Sequence, residues 1–364
     1  MSSDSMQIAS HVGSYSVHFF ARVAAAVGAI TPESPFHVVI DERVAELHDA
    51  GLRLLLAGAR SVIALPATES IKSLEEAPGL VARLAQANIR RDHTLIAVGG
   101  GIIQDLSCFM ASVLFRGIDW VFLPTTLLAQ ADSCIGSKSS INAAGIKNLV
   151  GNFYPPRKIA VAREFLDTLI PQDVHSGVGE MLKVHVIDGP ASFDRLAKEF
   201  DTLFSDPLVM QRAIRSSLEI KKRIIEIDEF DRGPRMVMNY GHSFGHAIET
   251  ATGFRVPHGI AVSIGADMAN YVAVRMGRLP VHHFNRMHPT LQKNYRGFED
   301  VAIPSGDLLN ALGRDKKNIG KDLVLILPDQ NACIERVAVP VTEDFSKYCR
   351  TFLSEVRGLD AIAA

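Results

Sequence analysis

Short apolar runs and segments of helical period alternate along the first half of the chain. Residues 36–41 (FHVVID), 61–67 (SVIALPA), 94–101 (TLIAVGGG) and 119–126 (DWVFLPTT) are compact and β-branched and end in turn residues, which predicts strands. Between them, 74–90 and 103–115 repeat their apolar positions at helical spacing. Strands alternating with helices predict a mostly parallel sheet covered on both faces. From about residue 165 the period is helical almost throughout, over 175–187, 192–204, 207–227, 236–252 and 259–276. The Pro-Pro break in GNFYPPRKIAV (151–161) marks a boundary. It divides an α/β domain (1–160) from a helical domain (161–364). A late run, DLVLILP (322–328), predicts a small hairpin in the helical half, and FFARVAAAVGAI (19–30), interrupted by Arg22, predicts a core-facing helix. The chain shows no internal repeat and no low-complexity tract.

Composition narrows the classes. With 364 residues, 47% hydrophobic and 21% charged, the chain is long enough for two ordinary domains. A net charge of −2 gives no electrostatic footprint for nucleic acid. The four cysteines, Cys108, Cys134, Cys333 and Cys349, form no C-x-x-C pair and read as reduced thiols of a cytoplasmic protein. MSSDSMQIASHVGSY lacks the basic and apolar regions of a secretory signal, and no apolar run reaches the length of a membrane span.

Several segments carry chemistry. TLIAVGGGIIQD is a strand running into a glycine turn and then a helix, a way to bring backbone N–H groups to a pyrophosphate, although it is not G-x-G-x-x-G. Asp41, at a strand end, suits either a ribose or a helix cap. The segment 124–156, PTTLLAQADSCIGSKSSINAAGIKNLVGNFYPP, is rich in hydroxyls and amides and carries Lys138 and Lys147, as anion-binding loops do. In MNYGHSFGHAIE (238–249), His242 and His246 lie four apart on one helical face. Glu180, with Lys183 one turn later, and His258 after Pro257 supply further donors. A catalytic zinc takes three His/Glu ligands and keeps one position open. Glu180, His242 and His246 make such a set, and so do Glu180, His242 and His258; spacing does not choose between them. Ser243 stands where H-E-x-x-H would need its Glu, which excludes a zincin peptidase. The cations Arg116, Lys138, Lys147, Lys183, Lys221, Arg235, Lys316 and Lys317 define no site by spacing alone, since most surface cations are merely solvated.

Taken in order, GGGIIQDL, FRG, PTTLLAQADS, IKNLVGNFYPP, GEMLK, NYGHSFGHAIE and PHG resemble dehydroquinate synthase and its sugar-phosphate-cyclase relatives, over about residues 36 to 330. The resemblance implies an NAD-binding α/β domain, a helical metal- and substrate-binding domain, an active site between them and a homodimer. It implies one divalent metal, zinc or alternatively cobalt, on Glu180, His242 and His258, with His246 facing the substrate phosphate. The phosphate pocket then maps to Lys138, Asn148, Asn239, His246 and Lys316, with Arg116 from the neighbouring subunit. Cofactor contacts map to Asp41, Glu69, Lys72, Gly100, Gly101, Asp105, Thr125, Thr126, Lys147 and Thr168. Asp132 lies near the reacting hydroxyl, and Lys183 stabilises oxyanions near the metal.

In relatives acting on the seven-carbon keto-acid phosphate, a Lys and an Arg hold the carboxylate, and Lys221 and Arg235 stand at those positions, fourteen apart. This favours conversion of 3-deoxy-arabino-heptulosonate 7-phosphate to 3-dehydroquinate, or its amino analogue, over valiolone or deoxy-inosose formation. Three residues depart from the family pattern: Ser137 for a glycine, Gln104 for a glycine, and Ile260 for an acid beside His258. The rivals are an NAD- and metal-dependent alcohol or glycerol dehydrogenase, which uses an Asp as its acidic ligand, and a non-catalytic protein of the same fold, which the intact ligand set opposes.

Overall fold

The computed structural model describes residues 5–314, 318, 320 and 322–359. The chain divides into two units, one running to Ile170 and including Lys221–Asp231, the other made of Pro171–Ile220 and the residues from Arg232 onward. The sequence boundary at 160/161 therefore differs from this division by one short segment and one excursion. Residues up to 170 stay with the first unit because the 3₁₀ turn Arg163–Thr168 buries Phe165 in that unit's core.

The first unit contains β1 (Ser5–Ser10), β2 (Gly13–Phe20), α1 (Val23–Ile30), β3 (Phe36–Asp41), α2 (Glu42–Leu47), α3 (Asp49–Gly58), β4 (Ser61–Leu65) and α4 (Ala77–Gln86). It continues through β5 (Thr94–Gly99), α5 (Gly101–Val113), β6 (Trp120–Pro124), β7 (Lys138–Ala143), β8 (Ile146–Phe153) and β9 (Lys158–Ala162). Seven strands form one sheet in the order β1-β2-β9-β6-β5-β3-β4. Every neighbouring pair is parallel except the β1–β2 hairpin. The inner strands β5 and β6 are buried at every position, as expected of parallel strands covered on both sides. Val38, Ile40, Ile96, Val98, Val121 and Leu123 form the core with α1 and α3.

Three sequence expectations change here. Phe19 and Phe20 end β2, so the helix expected over 19–30 begins at Val23. The polar stretch 138–153 is a β7–β8 hairpin, not a loop. Its turn uses Ala144 and Gly145, both at positive φ (50° and 73°), the backbone of a tight hairpin turn. Residues 74–90 shorten to α4.

The second unit is helical: α6 (Pro171–Asp188), α7 (Pro190–Lys198), α8 (Phe200–Leu203), α9 (Pro207–Ile227), α10 (His242–Ala251), α11 (His258–Arg275), α12 (Val281–Asn294) and α13 (Ser305–Gly313). The expected hairpin, β10 (Asp322–Pro328) with β11 (Ile334–Pro340), and α14 (Glu343–Thr351) complete it. The last two turns of α9, from Lys221, belong to the first unit. α11 is buried continuously from Gly259 to Ala273, the behaviour of a helix apolar on all sides and enclosed by others. The helix expected over 236–252 is broken: Pro234–Asn239 is a 3₁₀ turn, Gly241 takes a left-handed φ of 76°, and α10 starts at His242.

Candidate active site

Two helix crossings bring the histidines to Glu180. At the first, a Cβ on Gly259 would lie 1.7 Å from the Ser176 carbonyl oxygen, and one on Gly179 would lie 2.0 Å from that of Gly259. No side chain fits there, so α6 and α11 touch backbone to backbone, and the residues flanking the contact, Glu180 and His258, meet. At the second, a Cβ on Gly265 would lie 2.2 Å from the Gly241 carbonyl oxygen, which draws the start of α10, and His242, onto α11.

The result is a convergent donor set. Glu180 Oε1 lies 3.5 Å from His242 Nε2 and 3.2 Å from His258 Nε2, while Oε2 lies 2.6 Å from Lys183 Nζ. His242, His246 and His258 each bring one ring nitrogen within 4.8 Å of the others. Glu180 is 2% exposed, and neither of its oxygens completes a hydrogen bond of normal geometry. Burial opposes its charge, but the Lys183 ammonium and the two imidazoles overcome that and hold its carboxyl well below the usual range. Burial pushes His242 well below the ordinary histidine value. Its Nδ1 lies 3.2 Å from the Tyr240 carbonyl, so Nδ1–H donates there and the Nε2 lone pair is turned toward Glu180. His258 is half-buried; desolvation opposes its charge, yet the carboxylates of Glu180 and Glu249 raise it to about 10.

One carboxylate oxygen and imidazole nitrogens suit a divalent zinc- or cobalt-like ion, which would take the place of the proton that the two carboxylates hold on His258. Glu249, 3.3 Å from His258 Nδ1, stands where an acid would orient such a ligand. Sequence reading looked for that acid at position 260. Ile260 is buried among apolar neighbours, and the acid comes from α10, seven residues after His242 and hence on the same helical face.

A second cluster sits in the first unit. Asp132, in a π-turn over Ala129–Ser133, pairs with Lys221: Nζ lies 2.6 Å from Oδ1 and 2.7 Å from the Asp132 carbonyl oxygen. Both side chains are about nine-tenths buried, at 11% and 9% exposure. The sequence reading assigned Lys221 to a substrate carboxylate and did not foresee Asp132 as its partner. Arg235 is buried in the 3₁₀ turn of the second unit, and Asn239, at the end of that turn, donates to the Met236 carbonyl at 3.0 Å.

A third cluster collects expected cofactor contacts. Lys72 Nζ reaches Asp105 Oδ2 at 3.2 Å, Asn148 Oδ1 at 2.9 Å and Glu69 Oε1 at 3.7 Å. Asn148, assigned above to the phosphate pocket, is thus held by Lys72 and by Asn142, which accepts from its N–H. Burial pushes Asp105 up to about 6 despite Lys72. Beside it, a Cβ on Gly100 would lie 2.9 Å from Thr126 Cγ2, whereas one on Gly101 would meet nothing within 4 Å. The first turn of α5 thus opens on space with no side-chain cap of its own, a fit for the pyrophosphate of a dinucleotide. Thr125 is buried next to this turn.

The remaining assignments stand apart. Asp41 caps α2 through the Arg43 N–H at 2.9 Å. Thr168 hydrogen-bonds His48 at 2.9 Å. Lys147 and Arg116 are exposed, and Phe115, Arg116 and Gly117 hold three consecutive positive φ angles. Lys138 pairs with Asp231 at 2.8 Å, and Ser137 donates to Glu229, which also receives Ser10 and the His11 N–H. These two acids were not singled out, because more than ninety residues separate them from their partners and no local pattern links them. Lys316 and Lys317 lie outside the described residues. No helix among the described residues is long and apolar enough to cross a membrane.

An α/β unit with a glycine-opened helix, together with a helical unit holding a Glu/His cluster, defines the two-part architecture shared by sugar-phosphate cyclases and certain dehydrogenases. A crystal structure of 2-deoxy-scyllo-inosose synthase complexed with carbaglucose-6-phosphate, NAD+ and Co2+ matches at TM-score 0.82 and 24% identity, over 95% of this chain and 99% of that one. The 2-epi-5-epi-valiolone synthase of Streptomyces hygroscopicus, with NAD+ and Zn2+ bound, also matches at 0.82 and 24%, over 94% and 97%. Glycerol dehydrogenase from Schizosaccharomyces pombe shares the fold at 0.59 and 18%, over 92% and 88%. Residues 62–176 match the 3-dehydroquinate synthase N-terminal family model, and 177–318 the C-terminal one. The chain belongs to the 3-dehydroquinate synthase family. It is 39% identical to the 3-dehydroquinate synthase of Paracoccus denitrificans over 76% of this chain and 78% of the relative, and 38% identical to that of Rhodospirillum rubrum over 84% and 83%.

Proposed function

We propose that the protein is a 3-dehydroquinate synthase, converting 3-deoxy-arabino-heptulosonate 7-phosphate to 3-dehydroquinate and phosphate. It acts as a carbon–oxygen lyase and a cytoplasmic homodimer. The observation that carries this reading is the 38% identity to a 3-dehydroquinate synthase over 84% of the chain, which includes the converging Glu180, His242 and His258.

Glu180, His242 and His258 hold the divalent ion, with Glu249 orienting His258. The open first turn of α5 at Gly100 and Gly101 seats NAD, with Lys72, Asp105 and the Thr125–Thr126 turn beside it. When bound, NAD supplies reversible hydride acceptance and the ion supplies Lewis acidity, so the overall change is redox-neutral. Lys183 keeps a buried positive charge beside Glu180, where it stabilises negative charge developing on substrate oxygen. Asp132, fixed by Lys221, aligns the reacting hydroxyl; Arg235, buried in the second unit, favours a carboxylate-bearing substrate. His246, exposed at the edge of the imidazole cluster, is placed for an anionic group such as the departing phosphate. Lys138, held by Asp231 in the first unit, is a further cation of the kind a phosphate takes.

The test is phosphate release by zinc-loaded protein with NAD+ from three sugar phosphates. Release from the heptulosonate 7-phosphate, lost in Arg235→Ala, is the expected result. Release from sedoheptulose 7-phosphate or glucose 6-phosphate instead keeps the chemistry and overturns the substrate.

A further inference from the structure

Gln104 is the fourth residue of α5, buried to 6% exposure, and its amide is committed at both ends to one residue. Nε2 donates to the Ser133 carbonyl at 2.6 Å, and Oε1 accepts from Ser133 Oγ at 2.7 Å. Ser133 ends the π-turn that carries Asp132, so two successive carbonyls of the turn are held: Lys221 grips that of Asp132, and Gln104 grips the next one. The same helix turn begins at the glycines, since Gln104 N–H donates to the Gly100 carbonyl at 3.0 Å. Gly100 abuts Thr126, whose Oγ1 accepts from Ala129 N–H at the start of the π-turn. Gly100, Gln104, Ser133, Ala129 and Thr126 therefore close a ring of contacts.

We propose that Gln104 is a positioning residue that locks Asp132, and through it Lys221, to the glycine turn of α5, so that the dinucleotide seat and the Asp132–Lys221 pair keep one fixed geometry. The proposal rests on the cyclase reading of these two features. The chemistry selects this side chain: Glu would set an acceptor against the Ser133 carbonyl, and Asn is one methylene shorter. Removing the amide takes the partner from two polar groups of the half-buried Ser133, which loosens the turn.

Amide exchange and steady-state kinetics on the full-length, zinc-loaded protein test it with Gln104→Ala, Gln104→Glu and Ser133→Ala. In all three, amides of residues 129–134 should exchange faster, roughly tenfold in Gln104→Ala, while those of β5 and β6 hold. kcat should fall ~10- to 100-fold in Gln104→Ala, with KM and NAD affinity changing far less. Gln104→Glu keeps the side-chain size and should still lose kcat, and Ser133→Ala, which keeps the backbone carbonyl that Gln104 Nε2 grips, should lose less than Gln104→Ala. Unchanged exchange at 129–134, or a loss confined to NAD affinity, overturns the proposal. If Gln104→Ala fails to fold, the other two variants carry the same comparison. Wild-type protein that releases no phosphate would sink the cyclase reading, and the exchange data would still judge Gln104.

Discussion

His258 stands between two carboxylates: Nε2 lies 3.2 Å from Glu180 Oε1, and Nδ1 lies 3.3 Å from Glu249 Oε1. One acid shares the ligand cluster and the other holds the ring. Acids that orient a ligating imidazole set its tautomer and basicity, and their loss typically costs about 10–100-fold in metal affinity or activity. Glu249→Gln should therefore weaken zinc binding by a factor in that range, read by chelator competition, with the fold intact. Unaltered zinc affinity would show that Glu249 is a bystander.

Gly259 holds α11 against α6. A methyl group there would sit 1.7 Å from the Ser176 carbonyl oxygen, so the backbones must separate. Gly259→Ala should cost at least roughly 1–3 kcal/mol, as overpacking does, and should weaken metal binding as well, because Glu180 and His258 flank this contact. Thermal unfolding and zinc titration on one preparation check both, and a variant matching wild type in each would contradict the crossing.

The buried Asp132–Lys221 pair predicts an asymmetric response. Lys221→Met alone takes the ammonium away from a carboxylate about nine-tenths buried, which costs roughly 3–5 kcal/mol. Lys221→Met with Asp132→Asn should recover much of that stability while remaining inactive. Equal destabilisation of single and double variants, measured by urea unfolding, would mean that the charges do not act on each other.

Asp105 gives a pH dependence of definite sign. Burial raises its carboxyl from the ordinary 3.8 to about 6 in the folded protein, against the pull of Lys72. A folded state that binds the proton more tightly than the unfolded chain gains stability at low pH. Its contribution is full below about 3.8, is lost as pH rises to about 6, and stays constant above. Asp105→Asn should remove that slope, so stability of the variant relative to wild type should rise across this window. A difference that stays flat with pH speaks against the raised carboxyl.

Much of this was legible in the chain, and the gaps have physical causes. β3, β5 and β6 are continuous apolar runs, which mark buried parallel strands. The N-terminal hairpin carried a period-two signal, with the buried apolar residues Tyr15, Val17 and Phe19 alternating with the polar Ser16 and His18. The helical pattern that starts right after Phe20 masked it. The β7–β8 hairpin is polar on most positions, so only the Ala144–Gly145 turn could have disclosed it. In the site, His242 and His246 were readable from helical spacing and Glu180 from residue type. The crossing that joins Glu180 to His258 depends on Gly179 and Gly259, 80 residues apart, and no local pattern reports it. The Asp132–Lys221 partnership, 89 residues apart, was hidden for the same reason.

The central claim is a redox-neutral cyclisation that eliminates phosphate. Its most direct test follows phosphate and absorbance at the NADH band in one reaction, with NAD+ at a small fraction of the heptulosonate 7-phosphate. Many phosphates per NAD+ with no accumulating NADH is the result expected here. NADH that accumulates in step with substrate consumed, or phosphate that stops at one per NAD+, would contradict it and return the protein to the dehydrogenases of the same fold.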